Sequence, residues 1–124
     1  MLGSYPVSAT MPAVDIKRAT KFYTEVLGLK AKELGEGAVL FEAGNGTQIF
    51  MYQRGATKAE HTAASFYVDD IDKVVDGLIA KGVTFEQYDM GDLKTDARGI
   101  AAVGPSKAAW LKDTEGNILS LGVM

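Results

Sequence analysis

Bond-making chemistry needs nucleophiles, bases or metal ligands within reach of one another, and this sequence is poor in all three. It contains no cysteine, which removes thiolate nucleophiles, thiolate metal sites and disulfides together. It has one histidine, His61. No serine stands at a spacing from His61 that suits a nucleophile–base pair, and the turn G-x-S-x-G is absent. Asp69 and Asp70 form a carboxylate pair, but they open a helix-like run, where capping explains them. Glu33, Glu36 and Glu42 fall on strand or turn positions with no assignable acid or base role. Gly35 and Gly37 flank a hairpin turn and form no phosphate loop. The residues left with chemical character are aromatic rings and hydroxyls, and their use depends on which face they share.

The elements that position them come in two copies. SATMPAVDIKRATKFYTEVLG (8–28) matches AASFYVDDIDKVVDGLIAKG (63–82) at an offset of 55, with Asp15 on Asp70 and Ile16 on Ile71. AVLFEAGNGTQIFM (38–51) matches AAWLKDTEGNILSL (108–121) at an offset of 70, with Gly46 on Gly116. The second copy therefore carries about fifteen more residues, near 89–107, the difference of the two offsets. Each half reads strand, helix, then three strands. Asp15 and Asp70 cap the helices. Ile16, Ala19, Phe22, Tyr23, Val26 and Leu27 recur at helical spacing before Gly28, as do Ile71, Val74, Val75, Leu78 and Ile79 before Gly82. Strands are expected at 5–11, 30–34, 37–43, 47–53, 62–68, 83–88, 107–112 and 117–123, with hairpin turns at GNG (44–46) and EGN (115–117).

A duplicated βαβββ unit with D-I at the helix start, FYTEVLGL (22–29) in the first helix and DTEGNILSL (113–121) at the end resembles the vicinal oxygen chelate superfamily of glyoxalases, extradiol dioxygenases and fosfomycin- and bleomycin-resistance proteins. The resemblance covers nearly the whole chain. It implies a single α+β domain, 1–124, with module one at 5–53 and module two at 61–124, whose curved mixed sheets enclose a cleft.

Metal-dependent relatives take ligands from an early position on the first strand of each module and a position on the last. The resemblance puts these at Ser8 and Phe50 in module one and at Ala63 and Ser120 in module two; the two internal offsets pair the same positions. Serine, phenylalanine, alanine and serine do not make a divalent-cation site. No catalytic residue, metal or cofactor is expected. His61 lies two residues before Ala63 and so shares its face. To act as a metal ligand or general base it would need a two-residue slip and new partners. It reads first as an exposed residue of the loop TKAEHTA (57–63), and otherwise as a polar contact for a bound molecule.

Alternation extends the inward face to Thr10, Gln48, Tyr52, Ser65, Tyr67 and Ile118. Trp110 is placed there too, because Ala109 and Leu111 look like the helix-side pair. The expected lining is hydroxyls and aromatic rings, suited to stacking on a planar or apolar molecule; for Phe50 a plain core role is equally open. The insertion QYDMGDLKTDARGIAAVGPS (87–106) reads as a mobile cover, whose Lys94 and Arg98 either meet an anionic ligand or are simply solvated.

Composition bounds the partners. A net charge of −3 argues against nucleic acid, no run approaches the roughly 18 apolar residues of a membrane span, and MLGSYPVSATM lacks a secretory signal's charged start. A cytoplasmic location is expected. Two functional readings stay open beside a blander one, a regulatory or interaction module whose cleft is vestigial. In one, the chain is a metal-free binding protein for a small, partly aromatic or apolar molecule, and by the resemblance a homodimer. In the other, it is a glyoxalase-like lyase, isomerase or dioxygenase using an unrecognised metal or acid–base work by His61 or Tyr67. The missing ligands favour the first.

Overall fold

The computed structural model describes residues 1–123 as two compact units, the first ending at Thr57 and the second starting at Lys58. Unit one runs β1 (Ala9–Ala13), α1 (Ile16–Lys21), β2 (Lys30–Glu33), β3 (Ala38–Glu42) and β4 (Gln48–Gln53), in the sheet order β1-β4-β3-β2. β1 lies parallel to β4 and the other pairings are antiparallel. Unit two runs β5 (Thr62–Tyr67), α2 (Ile71–Ala80), a short hairpin of β6 (Asp89–Met90) and β7 (Leu93–Lys94), then β8 (Ile100–Val103), β9 (Ser106–Lys112) and β10 (Ile118–Gly122). Its main sheet has the order β5-β10-β9-β8. These are the α+β class and the duplicated curved mixed sheets expected from the sequence.

Both helices begin as the aspartates dictate. Asp15 accepts from the Arg18 N–H at 3.1 Å and Asp70 from the Lys73 N–H at 3.2 Å, so each carboxylate satisfies a first-turn donor that has no partner inside its helix. Gly28 and Gly82 follow the helices at φ 82° and 94°, a conformation in which a side chain would be strained. The first helix is not regular to its end: Phe22–Val26 widens into a π turn, in which Tyr23 is fully buried, stacked on Phe41 at 4.7 Å.

Each sheet buries one face. In unit one Met11, Ala13, Val39, Phe41, Ile49 and Met51 alternate along the strands and close, with Ala19 and Tyr23 of the α1 segment, into a core. In unit two Ala109, Leu111, Leu119 and Leu121 do the same, with Ile71 and Val75 of α2 and Val83 and Phe85 beyond it. Period-two alternation then leaves every other residue on the helix-free face.

Three expectations about the elements need correction. Tyr5–Ser8 is not strand: the β1–β4 ladder starts at the Ala9–Ile49 pair, and ahead of Gln48 the chain turns at Gly44–Gly46, so Tyr5–Val7 has no strand to pair with. The strand expected over 83–88 reduces to one bridge, Phe85 to Leu111, with the Glu86 N–H donating to the Trp110 carbonyl at 2.8 Å. The insertion supplies the missing edge instead, since β8 pairs antiparallel with the first half of β9. The segment 87–106 is therefore partly sheet and not a simple cover. Gly99, at φ 92°, makes the crossing possible: a Cβ there would sit 2.6 Å from the Phe85 Cβ.

Candidate functional site

On the helix-free face of unit one, the register sets Thr10 beside Phe50 and Leu40 on the other side of it; Pro12 and Ala38 flank Tyr52 in the same way. Phe50 and Tyr52 are half-buried, with nearly parallel rings (18°) and centroids 6.4 Å apart. Gln48 is exposed at the start of β4, and Ser8 is exposed ahead of β1. Phe50 is therefore outside the unit's helix-side core, and it forms a partly open aromatic surface with Tyr52.

The helix-free face of unit two is built by one turn. The buried Asp113 accepts from the N–H groups of Glu115 and Asn117 and from the Asn117 side-chain amide, each at 2.8 Å. That closure sets the register of β9 against β10, which puts Ser120 directly across from Trp110. On its other side Ser120 faces Ser65 of β5, and its hydroxyl donates to the Ser65 Oγ at 2.6 Å. Ala63 lies where the β5–β10 register shifts, between Thr62 and Ala64. Tyr67 stands 67% exposed at the end of β5, opposite Gly122. His61 is exposed just ahead of β5.

One lining residue was not expected from sequence. Tyr88, at the start of the insertion, packs nearly perpendicular to Trp110, at 5.4 Å and 81°. The Thr95 hydroxyl holds it in place by accepting from the Tyr88 N–H at 2.9 Å. Its aromatic character at the end of an expected strand was the only signal. Arg98, considered above for a ligand anion, pairs instead with Asp72 and Asp76 of α2, which raises its pKa further above its ordinary value. Lys94 is exposed on β7.

Within each unit the two positions expected from the resemblance to correspond to metal ligands are diagonal neighbours: Ser8 precedes Thr10, the partner of Phe50, and Ala63 precedes Ser65, the partner of Ser120. Phe50 and Ala63 offer no donor atom, and the Ser120 hydroxyl is engaged with Ser65. Among the described residues no three His, Cys, Asp or Glu side chains gather in one place. This donor set does not fit a divalent ion. A separate open groove of about 950 Å3 runs along unit one between α1 and the β2–β3 hairpin. Asp15, Lys17, Lys21, Glu33 and Glu36 line it with both signs of charge, so it points to no ligand charge and includes none of the expected site residues.

The Glyoxalase/Bleomycin resistance protein/Dioxygenase superfamily model matches residues 7–121. No curated protein matches the chain. Among solved structures, UcmS2 is 18% identical with a TM-score of 0.75, covering 98% of both chains. A lactoylglutathione lyase from Agrobacterium tumefaciens is 20% identical with a TM-score of 0.71, covering 97% of this chain and 93% of its own. The fosfomycin resistance protein FosX from Mesorhizobium loti is 12% identical with a TM-score of 0.68, covering 98% and 92%. At these identities the likeness is one of fold. No helix among the described residues is long and apolar enough to cross a membrane.

Proposed function

Because the chain belongs to the Glyoxalase/Bleomycin resistance protein/Dioxygenase superfamily, whose fold hosts many chemistries, we propose that it uses that fold to bind a small, partly aromatic or apolar molecule without a catalytic metal. What supports this reading is that the positions at which the resemblance expects the ligands of metal-dependent relatives hold Ser8, Phe50, Ala63 and Ser120. The same faces carry the Phe50–Tyr52 stack and Trp110. Aromatic rings with a few oriented hydroxyls are the usual wall of a small-molecule site. We further propose a cytoplasmic homodimer. β5, an outer strand of its sheet, bears no charged side chain, whereas the outer strand β2 carries Lys30, Lys32 and Glu33. Charged outer strands discourage pairing with another chain, and uncharged ones permit it.

The test has two stages. Elemental analysis of untagged protein is followed by calorimetric titration with zinc, nickel, manganese and iron(II). The expected result is no retained metal and no binding tighter than about 1 mM, roughly −4 kcal/mol. A diverse small-molecule library is then screened by thermal shift and by the fluorescence of Trp110, the sole tryptophan. Stoichiometric, tight metal binding would return the lyase, isomerase or dioxygenase reading to the front, with His61 and Tyr67 the first residues to substitute.

A further inference from the structure

The helix-free face of unit two is specific enough in its chemistry to name a ligand class. We propose that Trp110, Tyr88, Ser65 and Ser120 form a subsite for an uncharged, planar aromatic compound that carries a hydrogen-bond acceptor, such as an aryl ketone or quinone oxygen. This rests on the binding reading above and narrows it.

The shape argument starts from the neighbours of Trp110. Along β9 it is followed on the same face by Lys112 and preceded by Ala108; across β10 lie Ser120 and, diagonally, Gly122 on one side and the buried Ile118 on the other. Ala108, Ser120 and Gly122 are small, so the indole stands over a shallow floor and a flat molecule has room against it. Tyr88 closes one side of the indole at 5.4 Å. Tyr67, beside Gly122 and largely exposed, adds a second ring within reach of that floor.

The polar argument concerns the hydroxyl pair. Ser65 and Ser120 own two hydroxyl protons, and one lies in the 2.6 Å bond between them. The pair therefore presents one O–H donor outward, polarised by the bond it already accepts. A ligand oxygen that only accepts satisfies it. The charge argument excludes ions. Along β5, β9 and β10 the one charged side chain on this face is Lys112, which stands 3.5 Å from the Glu86 carboxylate. A charged ligand would have to compete with that pair for a counter-charge while losing hydration, whereas a neutral one would not.

Four probes of one ring size separate these terms: 2-acetonaphthone, 2-ethylnaphthalene, 2-naphthoate and 2-naphthylmethylammonium. The readout is the single Trp110 indole N–H resonance of uniformly 15N-labelled, full-length protein, with affinities from titration. The ketone should move that resonance and bind ~3- to 10-fold more tightly than the ethyl compound, as one neutral hydrogen bond allows. Both ions should bind at least roughly tenfold more weakly than the ketone, given the cost of desolvating a charge. Ser65→Ala together with Ser120→Ala should erase the ketone's advantage and leave 2-ethylnaphthalene unchanged. Should the double variant not fold, Ser65→Cys together with Ser120→Cys, kept reduced, preserves side-chain size while replacing both O–H donors by weak S–H donors, and should erase most of the ketone's advantage.

An ion binding as tightly as the ketone, or a ketone preference that survives loss of the serines, overturns the proposal. So does a ketone affinity that weakens as the protein concentration is raised, which would mean that a second copy competes for the face. If library compounds bind but perturb resonances remote from Trp110, the subsite falls and the binding reading stands. If neither the library nor the probes bind, both fall.

Discussion

The two units start from the same plan and diverge at one edge. Their capping aspartates are nearly superimposable in conformation, Asp15 at φ −128° and ψ 100° and Asp70 at φ −128° and ψ 95°. Their first strands both run parallel to their last. In unit one the outermost strand, β2, follows directly from the helix and pairs with β3 over its whole length. In unit two the corresponding stretch contributes only the Phe85 bridge, and β8 covers the rest of β9. The same detour delivers Tyr88 to Trp110. A repeated fold thus keeps what its core requires and changes where a sheet edge is free to accept another partner. The aromatic face of unit one is made within its strands, whereas that of unit two depends on the inserted segment.

The largest expected effect tests the core that unit one builds around its π turn. Phe41 is fully buried against Tyr23, and Phe41→Ala should lower stability by about 3 to 5 kcal/mol, measured by urea denaturation followed by circular dichroism. The fully buried aliphatic Val75 of α2 sits in the core of unit two. Val75→Ala removes two methyl groups and should cost about 2 kcal/mol. Equal losses would mean that the Tyr23–Phe41 stack adds nothing to unit one beyond what a buried valine adds to unit two.

Next in size is Gly99→Ala, which addresses the detour itself. The alanine would combine a backbone at φ 92° with a Cβ 2.6 Å from that of Phe85 and 3.0 Å from the Glu86 carbonyl oxygen. Neither obstacle is the end of a flexible side chain, so the crossing segment must move. A loss of about 2 to 4 kcal/mol is expected from strain and overpacking together. Amide exchange should rise over 96–103 and around Tyr88, with α1 unaffected. An unchanged exchange pattern would show that β8 does not depend on this close approach.

Much of this architecture is legible in the sequence because the relevant signals are local. Asp–Ile before an amphipathic run, a glycine after it, and short apolar strand segments at 48–53 and 107–112 each act within a few residues. Alternation alone places Phe50 and Tyr52 together, and puts Trp110 opposite the buried Ala109 and Leu111. The expectation for 83–88 misses because an edge strand is chosen by competition, and Ile100–Val103, rich in alanine, carries no strong strand signal of its own. Its pairing is non-local. The π turn over Phe22–Val26 is hidden for a related reason, since its apolar spacing also suits an ordinary helix. Tyr88 is hidden because its partner is Trp110, twenty-two residues further on.

The capping pair gives a smaller and more symmetrical test. Asp15→Ala and Asp70→Ala each remove one side-chain acceptor from a helix N-terminus and should each cost about 1 kcal/mol. Their near-identical geometry gives the cap bond itself the same worth in each helix. A loss at Asp70 several times that at Asp15 would mean that α2, which also anchors Arg98, supports more of its unit than α1 does.

The smallest effect concerns the ion pairs that tie the insertion to α2. Arg98, followed by Lys107, holds the Asp72 carboxyl below its ordinary pKa by hydrogen bonding, and the Ile100 N–H does so for Asp96. A carboxylate whose pKa is lower folded than unfolded contributes stability that is fully present above the unfolded value, about 3.9. That contribution is lost as pH falls through the folded value. Both groups lie in unit two, so acid should loosen the insertion first. Between pH 5 and pH 3, amide protection over β8 should fall further than protection over β3, as seen by exchange NMR. Because the pairs are largely solvated, the change should be slight and weaker still in high salt. Arg98→Ala should reduce it by removing the main partner of Asp72, while leaving the backbone hydrogen bonds to Asp96 in place. If β3 loosens as much as β8 over this range, the acid sensitivity belongs to the whole chain and not to the edge at which the two units differ.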